Sequence, residues 1–362
     1  MSVGATHACG ITVVGQPYCW GENRTGPLGD STLTLRREPV PVKVEYTYRS
    51  VTGGLFHTCA VTTRGDAYCW GEDATGQLGN GTDTGPVQCS FACRTTPVLV
   101  SGGFAFQSVD AGGGHTCGVT LPGRGYCWGE NSHGQLGAIA DTGGDACVFS
   151  CSTRPVGVAG GLTFRSVLAG FTHSCGVTTT GQGYCWGDNT FGQVGDGTIT
   201  ERHEPVPVAG GLTFNSLSTG DRHTCALTTT GAAYCWGDNA HGQLGDHTVT
   251  RRTEPALVSG GLTFESIDAG GSHTCAITGS GQLYCWGWNN FGQLGDGTST
   301  ERHEPVPVAG GLVFRSAYPG DNHSCGLTTA GQPYCWGRNG LGQLGNGTGA
   351  QSSVPVAVAG PE

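Results

Sequence analysis

Charge is scarce in this 362-residue chain: 17 Lys and Arg and 27 Asp and Glu make up 12% of it, against about a quarter in an average protein. The balance is acidic, at −10, and no block of Lys or Arg exceeds two residues. The expectation is therefore no general affinity for nucleic acid or for an anionic membrane. No apolar run is long enough to span a bilayer as a helix. No Gly-x-y period is present, which excludes collagen. Gly-x-Ser-x-Gly, Walker and His-Glu-x-x-His sequences are all missing, so no standard hydrolase, nucleotide or zinc-protease motif can be assigned. No cofactor is expected.

What is abundant is glycine, at 67 residues, and cysteine, at 18. So much glycine is incompatible with a coiled coil or long helical bundle. The 8 Trp, 10 Tyr and 12 Phe argue against disorder. A loop-rich, mostly β protein is left.

Self-similarity organises the whole chain. Cys-Trp-Gly recurs at Trp20, Trp70, Trp128, Trp186, Trp236, Trp286 and Trp336, at intervals of 50 or 58 residues. Ten residues before each of those cysteines stands another, in a His-x-Cys. A segment such as Asp-Asn-x-x-Gly-Gln-Leu-Gly follows each Trp-Gly. One unit reads as four short strands: 205–208, 213–217, 223–228 and 232–237, bounded by Gly and Asp/Asn clusters. Four strands per unit and seven units predict an all-β, seven-bladed β-propeller. It fills residues 1–362 as one domain, with loop insertions around 83–94 and 139–153. The chain starts in mid-unit and ends on Val354-Pro355-Val356-Ala357-Val358. The C-terminal strand is therefore expected to complete the blade begun at the N-terminus, which closes the ring and removes its open edges.

The stretch Gly220–Gly245, GDRHTCALTTTGAAYCWGDNAHGQLG, resembles the regulator of chromosome condensation repeat, and the resemblance recurs seven times. It implies a propeller whose relatives mostly work through a protein-binding face. The photoreceptor version of the repeat carries tryptophans that are absent from Gly170–Ser174 and Gly220–Thr224. The basic tail of the nuclear exchange factors is also absent. The paired cysteines look like an exported bacterial version of the repeat.

A symmetric hairpin about Arg64 places Cys59 opposite Cys69, at a separation that suits a disulfide. Seven such bonds are expected: Cys9–Cys19, Cys59–Cys69, Cys117–Cys127, Cys175–Cys185, Cys225–Cys235, Cys275–Cys285 and Cys325–Cys335. The competing reading is a metal held by His57, Cys59 and Cys69 and their repeats, but no fourth ligand recurs. Metal sites are therefore not expected. Cys89 and Cys93, and Cys147 and Cys151, sit in the two insertions. Local Cys89–Cys93 and Cys147–Cys151 bonds are the simplest pairing; cross-blade pairing and a shared zinc remain alternatives.

Function must sit where the units differ. One variable position follows Trp-Gly: Glu22, Glu72, Glu130, Asp188, Asp238, Trp288 and Arg338. The other is the pair before each histidine, which includes Phe56, Phe171, Asp221, Arg222 and Asp321. By resemblance both lie on loops of one face. They give an acidic crescent on five units and a Trp and an Arg on the last two. The expected role is a secreted or cell-surface scaffold, a monomer, that presents this face to a protein or glycan. The alternatives are a propeller lyase or hydrolase acting at the acidic face, and a purely structural module of a larger surface protein. Disulfides place the chain in an oxidising compartment. No export signal is visible before the first repeat, so the signal is expected to lie outside this sequence.

Overall fold

The structure, a computed structural model, describes residues 1–82, 92–138 and 150–360. Seven four-stranded antiparallel sheets follow one another along the chain. They form blades 1 to 7, spanning 2–41, 48–99, 106–157, 164–207, 214–257, 266–307 and 314–357. The only helical element among the described residues is a single 3-10 turn, Ala209–Gly211. In each blade the first strand lines a central channel and the fourth forms the outer rim.

Two sequence expectations need correction. The Glu-Pro-Val-Pro-Val segment does not open a unit; it closes the preceding blade. Arg202–Pro207 pairs with Gly183–Gly187 of blade 4. The ring is also not closed by strand exchange between the termini. Ser352–Ala357 pairs with Pro333–Gly337 inside blade 7, while blade 1 has its own two-residue first strand, Ser2–Val3. Every blade is continuous in sequence. The rim strand suits an edge, because its prolines and charges offer few free donors to a further strand.

A blade this thin has no core of its own. Apolar residues gather between blades. One such cluster joins Cys225, Leu227, Cys235 and Leu244 of blade 5 to Phe264, Ile267, Ala276 and Trp286 of blade 6. Six similar clusters complete the ring, the last uniting Cys325, Cys335 and Leu344 with Ala8 and Trp20. The seventh interface is therefore closed by side chains from opposite ends of the chain.

The repeat motif explains how neighbours grip one another. Trp236 Nε1 donates to Gln193 O of the preceding blade at 2.9 Å. Equivalent bonds join Trp70 to Pro27, Trp128 to Gln77, Trp186 to Gln135, Trp286 to Gln243, Trp336 to Gln293 and Trp20 to Gln343. The second glycine of Gly-Gln-Leu-Gly is required here. Gly195 has φ 75°, and a Cβ on it would lie 2.4 Å from Trp236 Nε1. A side chain would both strain the backbone and displace the indole.

A second link uses the histidines. His173 Nε2 lies 2.9 Å from Thr224 Oγ1, whose hydroxyl donates to the same Gln193 O at 2.8 Å. A carbonyl only accepts, so the hydroxyl proton goes there and His173 carries its proton on Nε2. The arrangement recurs from His7, His57, His115, His223 and His273 to Thr58, Thr116, Ser174, Thr274 and Ser324. At the closing interface the hydroxyl residue is replaced by Ala8. His323 is fully buried there with neither ring nitrogen hydrogen-bonded. Six of the seven repeat histidines are thus structural donors between blades, and among the described residues no group of three or more His, Cys, Asp or Glu is placed to hold a metal ion.

All seven hairpin disulfides form as expected, each between directly paired residues such as Cys225 and Cys235, 4.1 Å apart at Cα. Cys93 and Cys151 are buried at the start of rim strands and are also disulfide-bonded. The expected Cys89–Cys93 and Cys147–Cys151 pairings involve Cys89 and Cys147, which lie outside the described residues.

Two outcomes follow for stability. Ala8→Thr should complete the seventh relay and stabilise the protein by about 1 kcal/mol, while Thr224→Ala should cost about 1–3 kcal/mol by orphaning His173; denaturant melts of both variants check the pair. Replacing Cys225 and Cys235 together by Ser should cost about 2–3 kcal/mol for a closed loop of this size, measured in the same way.

Candidate functional site

The loops joining the first to the second strand and the third to the fourth emerge on one face. They touch in every blade. The N–H groups of Glu22, Glu72, Glu130, Asp188, Asp238, Trp288 and Arg338 donate to the carbonyls of Thr6, Phe56, Gly114, Thr172, Arg222, Ser272 and Asn322. The two variable positions therefore form one ring of neighbours around the channel mouth.

The floor of that mouth is backbone. Gly4, Gly54, Gly112, Gly170, Gly220, Gly270 and Gly320 form a closed circle, and an ideal Cβ on Gly220 would lie 2.3 Å from Gly270 O. No other residue fits at this constriction. The next residue outward donates its N–H to the adjacent glycine carbonyl at six interfaces, as Leu55 does to Gly112 O at 3.0 Å. Asp321 and Gly4 make no such bond at the closing interface. That outward residue is Ala5, Leu55, Gly113, Phe171, Asp221, Gly271 or Asp321, all of which line the mouth. Asp221 and Asp321 flank Gly271, whose small size lets them approach. Burial raises both carboxyl pKa values, and at Asp221 the charge of Asp321 adds to the rise.

The crescent carboxylates differ in availability. Glu22 is 6% exposed and accepts the Arg24 N–H at 2.7 Å. Asp188 accepts from Thr190 and from Gln193 Nε2, and Asp238 accepts from Ala240 N and Gln243 Nε2. Glu130 accepts from Ser132 Oγ. These groups brace their own loops. Glu72 is partly buried, and that burial raises its pKa. The ring is aromatic on its other side. Trp288 lies between His241 and Phe291, each 5.7 Å away by ring centroid. Arg338 covers Phe291 at 5.1 Å and Arg222 covers Phe191 at 4.8 Å. Phe171 is 39% exposed and Phe56 is partly buried. His241 Nδ1 is held by Glu301 Oε1 at 2.7 Å.

Sequence reasoning missed the opposite end of the channel. One first-strand position, paired with the first hairpin cysteine, carries Ser2, Thr52, Asp110, Leu168, Ser218, Asp268 and Tyr318. Its side chains reach across to the next blade's backbone. Ser2, Thr52, Asp110 and Ser218 accept the N–H of Gly53, Ala111, Ala169 and Ala269. Asp268 faces Pro319, which has no N–H to give. Burial raises Asp110 to about 6, even with its hydrogen bonds opposing the rise. Burial, then the Asp110 charge, raises Asp268 to about 7. The signal available in the sequence is Ser, Thr or Asp in five of the seven copies of one position.

The sequence matches the family described as RCC1-like domain over residues 92–362, and the Regulator of chromosome condensation (RCC1) repeat over 64–119 and 48–77. The chain belongs to this family of RCC1-like propellers. It is 31% identical over 205 residues to the E3 ubiquitin-protein ligase HERC2 of Homo sapiens, a match covering 55% of this chain and 4% of that protein. It is 30% identical over 211 residues to the mitochondrial RCC1 domain-containing protein RUG3 of Arabidopsis thaliana, covering 55% of this chain and 44% of that one. The chain thus spans less than half the length of these relatives. Among solved structures, human WBSCR16 superposes with a TM-score of 0.84 at 20% identity, over 96% of this chain and 94% of that one. Prp20p from Saccharomyces cerevisiae gives 0.82 at 21%, over 97% and 87%. These two likenesses establish the fold.

The pH dependence has two opposing contributions. Burial holds the seven buried repeat histidines at about 3 to 4, below their ordinary 6.5; their contribution is intact above 6.5 and declines as pH falls toward the folded values. Asp268 is raised, so its contribution is present at low pH and lost as pH rises through about 7. Asp268→Asn should therefore be more stable than the parent by about 1–2 kcal/mol at pH 8, with the gain gone by pH 4. Denaturant melts across that range check the sign.

Proposed function

We propose that this chain is a disulfide-clasped binding module that presents its channel-mouth face to a partner protein outside the cytosol, as a single copy and without catalysing a reaction. The observation that carries the reading is where the repeat varies. Trp latches, histidine relays and pore glycines hold nearly constant around the ring. The residues that differ most in size and charge are hydrogen-bonded neighbours on one face. A scaffold that keeps its frame and changes one surface is built for recognition. Seven disulfides favour an oxidising compartment, and the described residues include no helix long and apolar enough to cross a membrane.

The family supports a protein as ligand. Yeast RCC1 (Prp20) has been solved with Kap60 bound, and the Prp20p structure was described with binding to Gsp1p and histones. Ubiquitin ligation by HERC2 is not transferred, because the match covers so little of that protein.

The test is capture from the native extracellular fraction by immobilised chain. A Glu72→Arg, Trp288→Ala variant should lose its specific partner while melting like the parent. A rim variant, Glu204→Ala, should keep it. Equal capture by all three proteins, or loss only with the rim variant, would refute the reading.

A further inference from the structure

Within the recognition face, one segment reverses the chemistry of the rest. At the position after Trp-Gly, blades 1 to 5 carry Glu or Asp, blade 6 carries Trp288 and blade 7 carries Arg338. The change is not isolated. His241, Trp288, Phe291 and Arg338 form an unbroken cluster of ring and cation–π contacts across blades 5, 6 and 7, with Trp288 and Phe291 edge to face. Trp288 is the one tryptophan of eight that does not latch a blade interface. The other seven are at most 3% exposed, whereas Trp288 is only partly buried.

Arg338 is exposed. Its guanidinium carbon lies 5.1 Å from the centre of the Phe291 ring, a cation–π contact. The arginines that open four of the rim strands behave differently: Arg36, Arg252 and Arg302 each hold an aspartate at 2.8 Å, and Arg202 is bonded likewise to Asp196. No carboxylate lies within ion-pair distance of Arg338 among the described residues. An exposed guanidinium beside an aromatic ring and without a carboxylate partner is suited to bidentate pairing with a carboxylate brought by a ligand. Trp and Arg are also the residues that most often dominate interface energetics.

We propose that the Trp288–Phe291–Arg338 cluster is the anchor of the partner-binding face, and that it takes a protein segment bearing a carboxylate side chain next to an apolar one. The proposal rests on the face assignment above and narrows it. The apolar residue covers the open side of Trp288, and the carboxylate meets Arg338. Arg338 has no carboxylate of its own chain in ion-pair distance among the described residues, so a carboxylate on the ligand is its complement. The acidic crescent on the other blades then repels a segment docked in the wrong rotation, so it fixes orientation.

Random dodecapeptides displayed on phage and selected on the intact, oxidised chain provide the test, with the consensus synthesised and titrated. Selected sequences should place Asp or Glu beside Leu, Phe or Trp. Binding of the synthetic peptide should weaken about tenfold or more in Arg338→Glu and in Trp288→Ala. A peptide with its acidic residue changed to Lys should recover binding on Arg338→Glu. A basic consensus, or binding indifferent to both substitutions, overturns the assignment. If Glu72→Arg abolishes binding and Arg338→Glu does not, the face reading stands and this anchor fails. If no substitution on the face matters, both fail.

Discussion

The indole N–H of each repeated tryptophan, bonded to a carbonyl of the blade before it, is the contact on which the ring depends. A blade of four short strands cannot bury its own apolar faces, so its stability is a property of pairs of blades. The tryptophan settles how each pair meets. It places the large side chain in the shared core and spends its one polar atom on a backbone acceptor that would otherwise be buried unpaired. Gly-Gln-Leu-Gly is the shape of the receptor for that indole: the leucine fills the core, and the second glycine clears space for the ring. Because Trp20 and Gln343 make the same bond, the chain closes without exchanging a strand.

Division of labour follows from this geometry. Inter-blade links use backbone acceptors, buried hydroxyls and glycines, which tolerate little change. The loops above them are anchored by their own backbone bonds and leave the side chains after Trp-Gly free to vary. Even there, several carboxylates are engaged in bracing their loops, so charge on the sequence is not the same as charge offered to a partner. Asp188 and Asp238 show this plainly: each accepts from its own loop and from the glutamine of the latch motif.

Much of the architecture was legible because it is periodic. The hairpin register, hence every hairpin disulfide, follows from ten-residue spacing and a symmetric turn. The strand order within a unit did not follow, because a repeat has no marked beginning. Placing Pro205–Val208 first or last gives the same sequence pattern, and only its pairing with Gly183–Gly187 decides. The mode of ring closure is ambiguous in the sequence for the same reason. The candidate face was legible through its variation, whereas the Asp110 and Asp268 end of the channel was not. Those carboxylates act across blade boundaries, and the contrast between them depends on Pro319, some fifty residues downstream of Asp268. A missing N–H leaves no trace in the local pattern of the residue it deprives. Ala8 is a similar case: its effect appears only on His323, at the other end of the chain.

The hairpin disulfides hold a further consequence for biogenesis. Each joins cysteines only ten residues apart in sequence, within one turn that forms rapidly and independently of the rest. A chain so rich in thiols would ordinarily face a large number of wrong pairings. For the fourteen hairpin cysteines the right partner is the nearest one, and it is brought opposite by the same hairpin that the fold requires. Oxidation can therefore proceed unit by unit as the polypeptide enters an oxidising compartment, ahead of ring closure and without a search among distant thiols. The repeat thus encodes an order of assembly as well as a shape.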